Sequence, residues 1–402
     1  MKLFFCFPEK KIGGVSILFL RVSSVLSKKF SKDTYLIDYE DGYMAQNLDE
    51  EDKLVPYNPS TEIILGGEKF NENIIIFQSM TPWSIFKNIA SENARTIFWT
   101  CHPNNFIPDL SFLNIFGDRV KKLFLKTLLF PYYKKSQNFV KYLLKENSLF
   151  FMDQTSLKNT MYFLDISIGN PEFLPVAIEK QPKENSLKPP DKLSFVWIGR
   201  LVDFKYFILE KLILDLDHLA SDFIFDLKII GDGPYLKNLI SLKSKVSYEI
   251  YFENEIEIDQ LDNYLIKNCS ILFAMGTAAL EGAKLGIPTV LLDISYKKIS
   301  KKYNYRWLYE RDGMTLGENI NEVFEEPSNV NSLELKINQY FEEFEKVSTK
   351  TLEYFNTNHS LENTCSKLLK KIDNSSALWG KIKESKFTSR GVIYSLYKYL
   401  KK

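Results

Sequence analysis

FVWIGRLVDFK, residues 195–205, is the stretch that decides how the chain folds. Its apolar start reads as a buried strand; Gly199 ends the strand, Arg200 follows, and Lys205 stands where a helix begins. A glycine lets the backbone turn and approach a ligand. Two cations beside the free amides of a helix start converge on one point, a setting that suits a diphosphate. A surface strand end with two solvated cations would have the same residues, so the neighbouring segments must decide. Downstream, LKIIGDGPYLKNL (227–239) is a second strand that breaks at Gly231-Asp232-Gly233-Pro234 and enters a helix. That turn chemistry explains itself without a function. A third strand, Ser270–Ala274, runs into MGTAALEGAKLGIPTVLLD (275–293), where Gly276 and Thr277 open a helix that carries Glu281 one turn inside. Amides at that start suit phosphate or sugar oxygens, and Glu281 suits a diol. A buried Glu among Ala and Leu is costly unless a partner satisfies it, and an exposed Glu on a packing helix is the plain alternative.

The same alternation runs through the whole chain, as expected of parallel sheets covered by helices. Strand candidates in the first half are Leu3–Phe7, Thr34–Asp38, Ile74–Gln78, Thr96–Cys101 and Leu149–Met152, with helices near Val15–Lys29, Trp83–Ala90 and Asp153–Leu164. The second half adds strands near Leu193–Ile198, Asp226–Ile230, Tyr248–Phe252, Ile271–Ala274 and Thr289–Leu292. The polar segment Glu179–Asp191, with three prolines, is the linker candidate. The expected organisation is an N-terminal domain over 1–178, a linker over 179–191, a C-terminal domain over 192–350, and C-terminal helices with a basic tail over 351–402. The final helix, near Glu362–Ile372, has no strand partner and is expected to return to the first domain.

Composition agrees with an α/β chain of two domains: 402 residues, 45% of them hydrophobic, supply two substantial cores. Fifty-two Lys and Arg against 51 Asp and Glu exclude a surface that is basic throughout, so no nucleic-acid partner is expected. Four cysteines, at 6, 101, 269 and 365, lack both the density of a disulfide scaffold and the spacing of a zinc site. A reducing compartment and no metal are expected. Asp215-Leu216-Asp217 has the look of a metal-binding DxD, but it lies in a helical segment rather than after a strand. The N-terminal apolar stretch has no basic leader or cleavage site, and no window has the roughly 18 to 20 apolar residues of a spanning helix. A cytoplasmic protein is expected, free or lying on the inner face of the membrane.

The order GRLxxxK, then a strand with GDGP, then a glycine-opened helix with Glu followed by KLGIPTVLLD resembles the donor half of retaining glycosyltransferases of family 4, also called group 1, over residues 193–295. The resemblance implies the GT-B fold: two Rossmann-like domains, the N-terminal one for the acceptor and the C-terminal one for the donor, with parallel sheets facing across a cleft that holds a nucleotide-diphosphate sugar, with no cofactor and no essential metal. By resemblance, Arg200 and Lys205 neutralise the departing diphosphate, Gly199, Gly276 and Thr277 line the donor site, and Glu281 holds ribose hydroxyls. Gly13-Gly14, after the first strand, resembles the family's glycine loop, and a turn into a helix is the plain alternative. His102, in WTCHPNN after another strand, matches a histidine that faces the reacting sugar, whereas His218 and His359 are read as structural. In one respect the chain departs from the family, which has a second Glu eight residues before the position of Glu281; Phe273 stands there. WLYERDGMTLGE (307–318) is similar to bacterial surface-polysaccharide members.

Two segments mix cations with aromatic residues. Residues 117–147 carry eight Lys and Arg, Lys121, Lys122 and Lys126 among them, against Asp118 and Glu146, and residues 377–402 repeat the mixture. Both have the composition of interfacial helices drawn to anionic lipid, and solvated helix faces are the alternative. The expectation is therefore a retaining transferase that moves a sugar from a nucleotide diphosphate to a glycan acceptor, lipid-linked, in lipopolysaccharide or capsule synthesis. A GT-B epimerase or hydrolase, and a silent sugar-nucleotide-binding subunit that Phe273 keeps open, are the alternatives.

Overall fold

The computed structural model describes residues 1–49, 53–65, 73–108, 117–181, 192–299, 303–320 and 332–389. Most of the expected linker, 182–191, lies outside them. The chain divides into two compact units, Met1–Ala177 together with the segment from Leu361 onward, and Ile178–Ser360.

The first unit runs β1 (Lys2–Cys6), α1 (Gly14–Phe30), β2 (Asp33–Asp38), α2 (Tyr43–Gln46), β3 (Lys53–Pro56), β4 (Ile63–Ile64), β5 (Asn73–Gln78), β6 (Ile89–Ala90), β7 (Arg95–Thr100), α3 (Gly117–Lys126), α4 (Phe130–Lys145), β8 (Leu149–Phe151) and α5 (Gln154–Leu164). Its main sheet has the order β3-β2-β1-β5-β7-β8, and every pair in it is parallel. β1 reads KLFFC and β5 NIIIFQ because a parallel sheet is covered on both faces, so both sides of each strand are apolar. Leu3 and Phe5 pack on the α1 face, and Phe4 and Cys6 on the opposite face with α4.

The second unit runs β9 (Ser194–Ile198), α6 (Asp203–Asp217), β10 (Asp226–Ile230), α7 (Leu236–Ile240), β11 (Glu249–Glu253), α8 (Ile258–Asn268), β12 (Ile271–Ala274), α9 (Thr277–Ala283), β13 (Thr289–Leu291), β14 (Arg306–Trp307) and α10 (Ser332–Asn358). The sheet order is β11-β10-β9-β12-β13-β14, parallel except for β14 against β13.

The chain then returns to the first unit. Leu361, Cys365, Leu368 and Ile372 of α11 (Leu361–Asn374) share one helix face and bury against the α1 side of the sheet. After α11, Thr96 N–H donates to Ala377 O at 2.8 Å, and α12 (Trp379–Glu384) places the indole of Trp379 in the opposite core.

One expected element differs. In place of a helix over Trp83–Ala90 there is a single 3-10 turn, Pro82–Ser84, and then β6, which pairs with β4. Asn88 explains why: its O accepts from Ile63 N–H and its Nδ2 donates to Asn58 O and Thr61 O. With its backbone and side chain both engaged outside, this stretch cannot close helical turns.

Candidate active site

The residues singled out from the sequence stand at the C-terminal ends of the parallel strands, where open α/β sheets bind ligands. In the second unit Gly199 follows β9 and Gly276 follows β12, and these strands are neighbours. Gly231, after β10 on the other side, has φ +135°, and a Cβ there would lie 2.2 Å from Gly199 O. Gly233 meets Leu201 O in the same way at 2.4 Å, while Leu201 N–H donates to Asp232 O at 2.8 Å and Tyr235 N–H to Leu201 O at 3.1 Å. The GDG glycines thus exist because two strand-end loops lie backbone to backbone, and that packing fixes Gly199 and Arg200.

Lys205 sits in the first turn of α6, half-buried, with its Nζ folded back so that a Cβ on Gly199 would lie 2.8 Å away. Desolvation, and then the charge of Arg200, pull its pKa from 10.5 down to about 8. Arg200 is exposed. Among the described residues neither cation has a carboxylate in an ion pair. Two adjacent positive charges without a counterion, one of them desolvated, form an anion-accepting centre.

Gly276 takes φ +66°, which excludes side chains, yet a Cβ there would meet nothing within 4 Å. Its N–H is spent on Leu316 O at 2.7 Å, so only the following amides remain for a ligand. Thr277 opens α9 and is exposed.

Glu281 has a partner that the sequence reading missed. Lys284, one turn on, lies 2.7 Å from Glu281 Oε2 and 2.9 Å from Asp262 Oδ1 of α8, all three side chains being largely buried. Burial alone would lower the Lys284 pKa, but the two carboxylates outweigh it and raise it. The i,i+3 spacing of Glu281 and Lys284 was the available signal.

Phe273 is buried in the core of the second unit, edge-on to Phe195 at 5.6 Å and to Tyr305 at 6.5 Å. WLYERDGMTLGE forms a structural network: Asp293 accepts from Tyr303 Oη at 2.8 Å and Glu318 N–H at 2.9 Å and pairs with Arg311, fixing the loop that holds Gly276. Asp215 and Asp217 are likewise engaged, by Lys211 and Tyr305 and by Ser247 respectively.

In the first unit Gly13 and Gly14 follow β1 at the start of α1; neither has positive φ, and a Cβ on either would meet nothing within 4 Å. The packing does not require glycine there, and the space beside them is open. His102 follows β7 at the same end of the sheet, with β5 between it and β1. Its Nδ1 accepts Asn104 N–H at 3.1 Å, which leaves the proton of the neutral ring on Nε2. Although the residue is exposed, partial desolvation of its ring lowers the pKa against the opposing charge of Asp153.

The basic segment is less free than its composition suggested. Lys122 and Lys126 both pair with Asp165, at 2.6 and 3.0 Å, and Lys121 with Asp118 at 3.2 Å. Burial would raise the Asp165 pKa, but these lysines and Tyr133 bring it to about 2. Beside the exposed Arg119 and Lys126, α3 and its C-terminal end expose the apolar residues Val120, Leu123, Leu128 and Phe130. In 377–402, Trp379 is core and Phe387 packs on Phe139, while 390–402 lie outside the described residues. Among the described residues no helix is long and apolar enough to cross a membrane.

No family model and no curated protein matches the chain. Solved structures do. The apo lipopolysaccharide outer core galactosyltransferase WaaB aligns with a TM-score of 0.56 at 12% identity, over 93% of this chain and 99% of that one. A glycosyltransferase from Rickettsia africae aligns at 0.56 and 14%, over 92% and 97%. HepE of Anabaena, in complex with UDP-glucose, aligns at 0.51 and 11%, over 93% and 99%. With both units spanned in each comparison, the chain has the GT-B fold of glycosyltransferases.

Proposed function

We propose that the chain is a glycosyltransferase that moves a sugar from a nucleotide diphosphate to a lipid-linked glycan in bacterial lipopolysaccharide or capsule synthesis, with retention and without metal. The observation that carries the reading is the Arg200–Lys205 pair, two uncompensated cations packed against Gly199 at the end of a central strand. As the bond to the anomeric carbon breaks, negative charge accumulates on the leaving diphosphate, and fixed cations aimed there lower the barrier. Gly276 leaves its backbone open beside them, and Glu281, held by Lys284, accepts from the ribose hydroxyls. In the first unit, the Nε2–H of His102 is available to donate to a sugar hydroxyl. That WaaB is a galactosyltransferase of the lipopolysaccharide outer core and that HepE was crystallised with UDP-glucose support the substrate classes.

A thermal-shift screen of UDP-, GDP-, ADP-, CMP- and TDP-sugars tests the reading, since a bound donor stabilises the fold by mass action. One donor should stabilise the wild type and lose its effect in Lys205→Ala. No shift with any donor sinks the proposal.

Phe273, in place of the carboxylate that the resemblance leads one to expect, favours a second reading, a subunit that binds sugar nucleotide without turning it over. Donor binding with no transfer or hydrolysis across an acceptor panel would select it.

The exposed apolar residues of α3 and its C-terminal end, with the exposed Arg119 and Lys126 in the same stretch, support docking on an anionic membrane surface, proposed to be the cytoplasmic one.

A further inference from the structure

In the first unit, an open pocket of about 320 Å³ lies at the C-terminal ends of β2 and β3. Tyr39, Tyr57, Pro56 and Pro59 wall it, and Glu40 and Asp41 supply its charged lining. The volume is at the low end of the roughly 300 to 1,000 Å³ of small-molecule sites, enough for one ring rather than a chain. Tyr39 and Tyr57 meet edge to face at 5.2 Å, and Phe86 holds Tyr57 from behind at 5.2 Å, so the aromatic wall is rigid.

The wall is also tied to the candidate site. Buried Asp38, at the end of β2, accepts from the N–H groups of Glu9, Tyr39 and Met44 at 2.9 Å each and of Ala45 at 3.4 Å. One carboxylate therefore clamps the loop that leads to Gly13-Gly14 onto the residues that form the pocket. β2 adjoins β1, and the loop that leads from β1 to the glycines meets the pocket at Glu9, bonded to Asp38, and at Lys10, paired with Asp41.

The charge pattern selects the ligand. The pocket's nearby cation, Lys10, is bound to Asp41 at 2.6 Å and stands 5.4 Å over the Tyr39 ring, so the lining keeps a net negative charge. A phosphate or carboxylate is disfavoured there. A neutral pyranose fits: its C–H face lies on tyrosine, and its hydroxyls donate to the carboxylates. We propose that this pocket is an acceptor subsite for a neutral saccharide, the unit preceding the one that is extended. It rests on the transferase reading and adds to it the acceptor's chemistry.

Saturation-transfer NMR on the full chain with saturating UDP, which fills the donor site, tests this with methyl β-D-glucopyranoside and methyl β-D-galactopyranoside as probes and glucose 6-phosphate as the anionic counter-probe. At least one glycoside should receive saturation on its ring C–H protons. The signal should be lost in Tyr39→Ala, weakened in Glu40→Gln, which is exposed and should not disturb folding, and retained in Tyr39→Phe. No transfer to either glycoside, an unchanged signal in Tyr39→Ala, or equal transfer to glucose 6-phosphate overturns the subsite. UDP binding measured on the same samples separates the failures. UDP bound without glycoside contact refutes the pocket alone, and failure to bind any nucleotide refutes the transferase reading.

Discussion

Lys205 makes donor binding depend on pH in a way that few other groups could produce. Its pKa is about 8 in the free protein against the ordinary 10.5, because desolvation and Arg200 oppose its charge. The sign follows from linkage. With the folded value below the unfolded one, the charged amine costs stability below pH 8, and that cost disappears as pH rises from about 8 to 10.5. A bound diphosphate reverses the balance by supplying the missing counterion. If it restores the value to 10.5, the protonated site binds more tightly than the neutral one by about 3 kcal/mol, a factor of a few hundred. The dissociation constant for UDP should therefore be flat below pH 7.5 and rise about 30-fold between pH 7 and 9.5. Any contribution from ionisation of UDP itself is shared with Lys205→Arg, so the expected profile is read as wild type relative to that variant. Titration calorimetry in buffers of different ionisation enthalpy should also show uptake of most of one proton at pH 8.5. Lys205→Arg keeps its charge throughout and should bind with a flat profile. A flat wild-type profile with no proton uptake would refute the placement of Lys205 at the phosphates.

Three further outcomes follow from the same geometry. Gly231→Ala forces a Cβ to 2.2 Å from Gly199 O at a positive φ, so it should destabilise the second unit by about 1 to 3 kcal/mol or more and weaken UDP binding, although residue 231 touches no ligand. Urea unfolding and calorimetry check both halves. Lys284→Met leaves Glu281 and Asp262 largely buried and unpaired, an expected loss of about 3 to 5 kcal/mol in urea unfolding, whereas Lys284→Arg should lose less. Leu123→Ser with Leu128→Ser alters only exposed side chains, so stability should stay within about 0.5 kcal/mol while sedimentation with anionic vesicles falls; unchanged sedimentation would leave the α3 surface a solvated face.

What the sequence disclosed was whatever local spacing encodes. Strand ends at Gly199 and Gly276, the helix beginning beside Lys205, and the apolar face of α11 follow from runs of a few residues, and the structure places them as expected. Long-range pairing is the part that spacing does not carry. Asp38 receives its donors from Glu9, on the loop after β1, and from Met44 in α2, so its role as a clamp is set by residues brought together in the fold. Trp83–Ala90 has helical spacing but spends its backbone bonds on Ile63. Trp379 and Phe387 read as interfacial because composition cannot say which side of a segment faces protein, yet Trp379 is buried in the first unit and Phe387 packs partly buried against the same core. Glu281 shows the converse: its apolar surroundings leave buried and exposed readings open, and the structure buries it against Lys284, one turn away.

Phe273 tests how far a motif can be transferred by counting. The count places it where the family has a donor-sugar carboxylate, yet side chains alternate along β12, and this one faces inward with no exposed surface, edge-on to Phe195 and Tyr305. A carboxylate at this position would therefore not reach a ligand. It would enter the apolar core among Phe195 and Tyr305, where an uncompensated charge costs several kcal/mol and the group protonates instead. Phe273→Glu should thus lower the urea midpoint sharply and bring no gain in donor hydrolysis or transfer, while Phe273→Leu, which keeps the apolar contact, should lose far less stability. A folded Phe273→Glu protein with faster turnover would show that the end of β12 presents residue 273 to the donor, and the placement of the whole Gly276 loop would have to be revised with it.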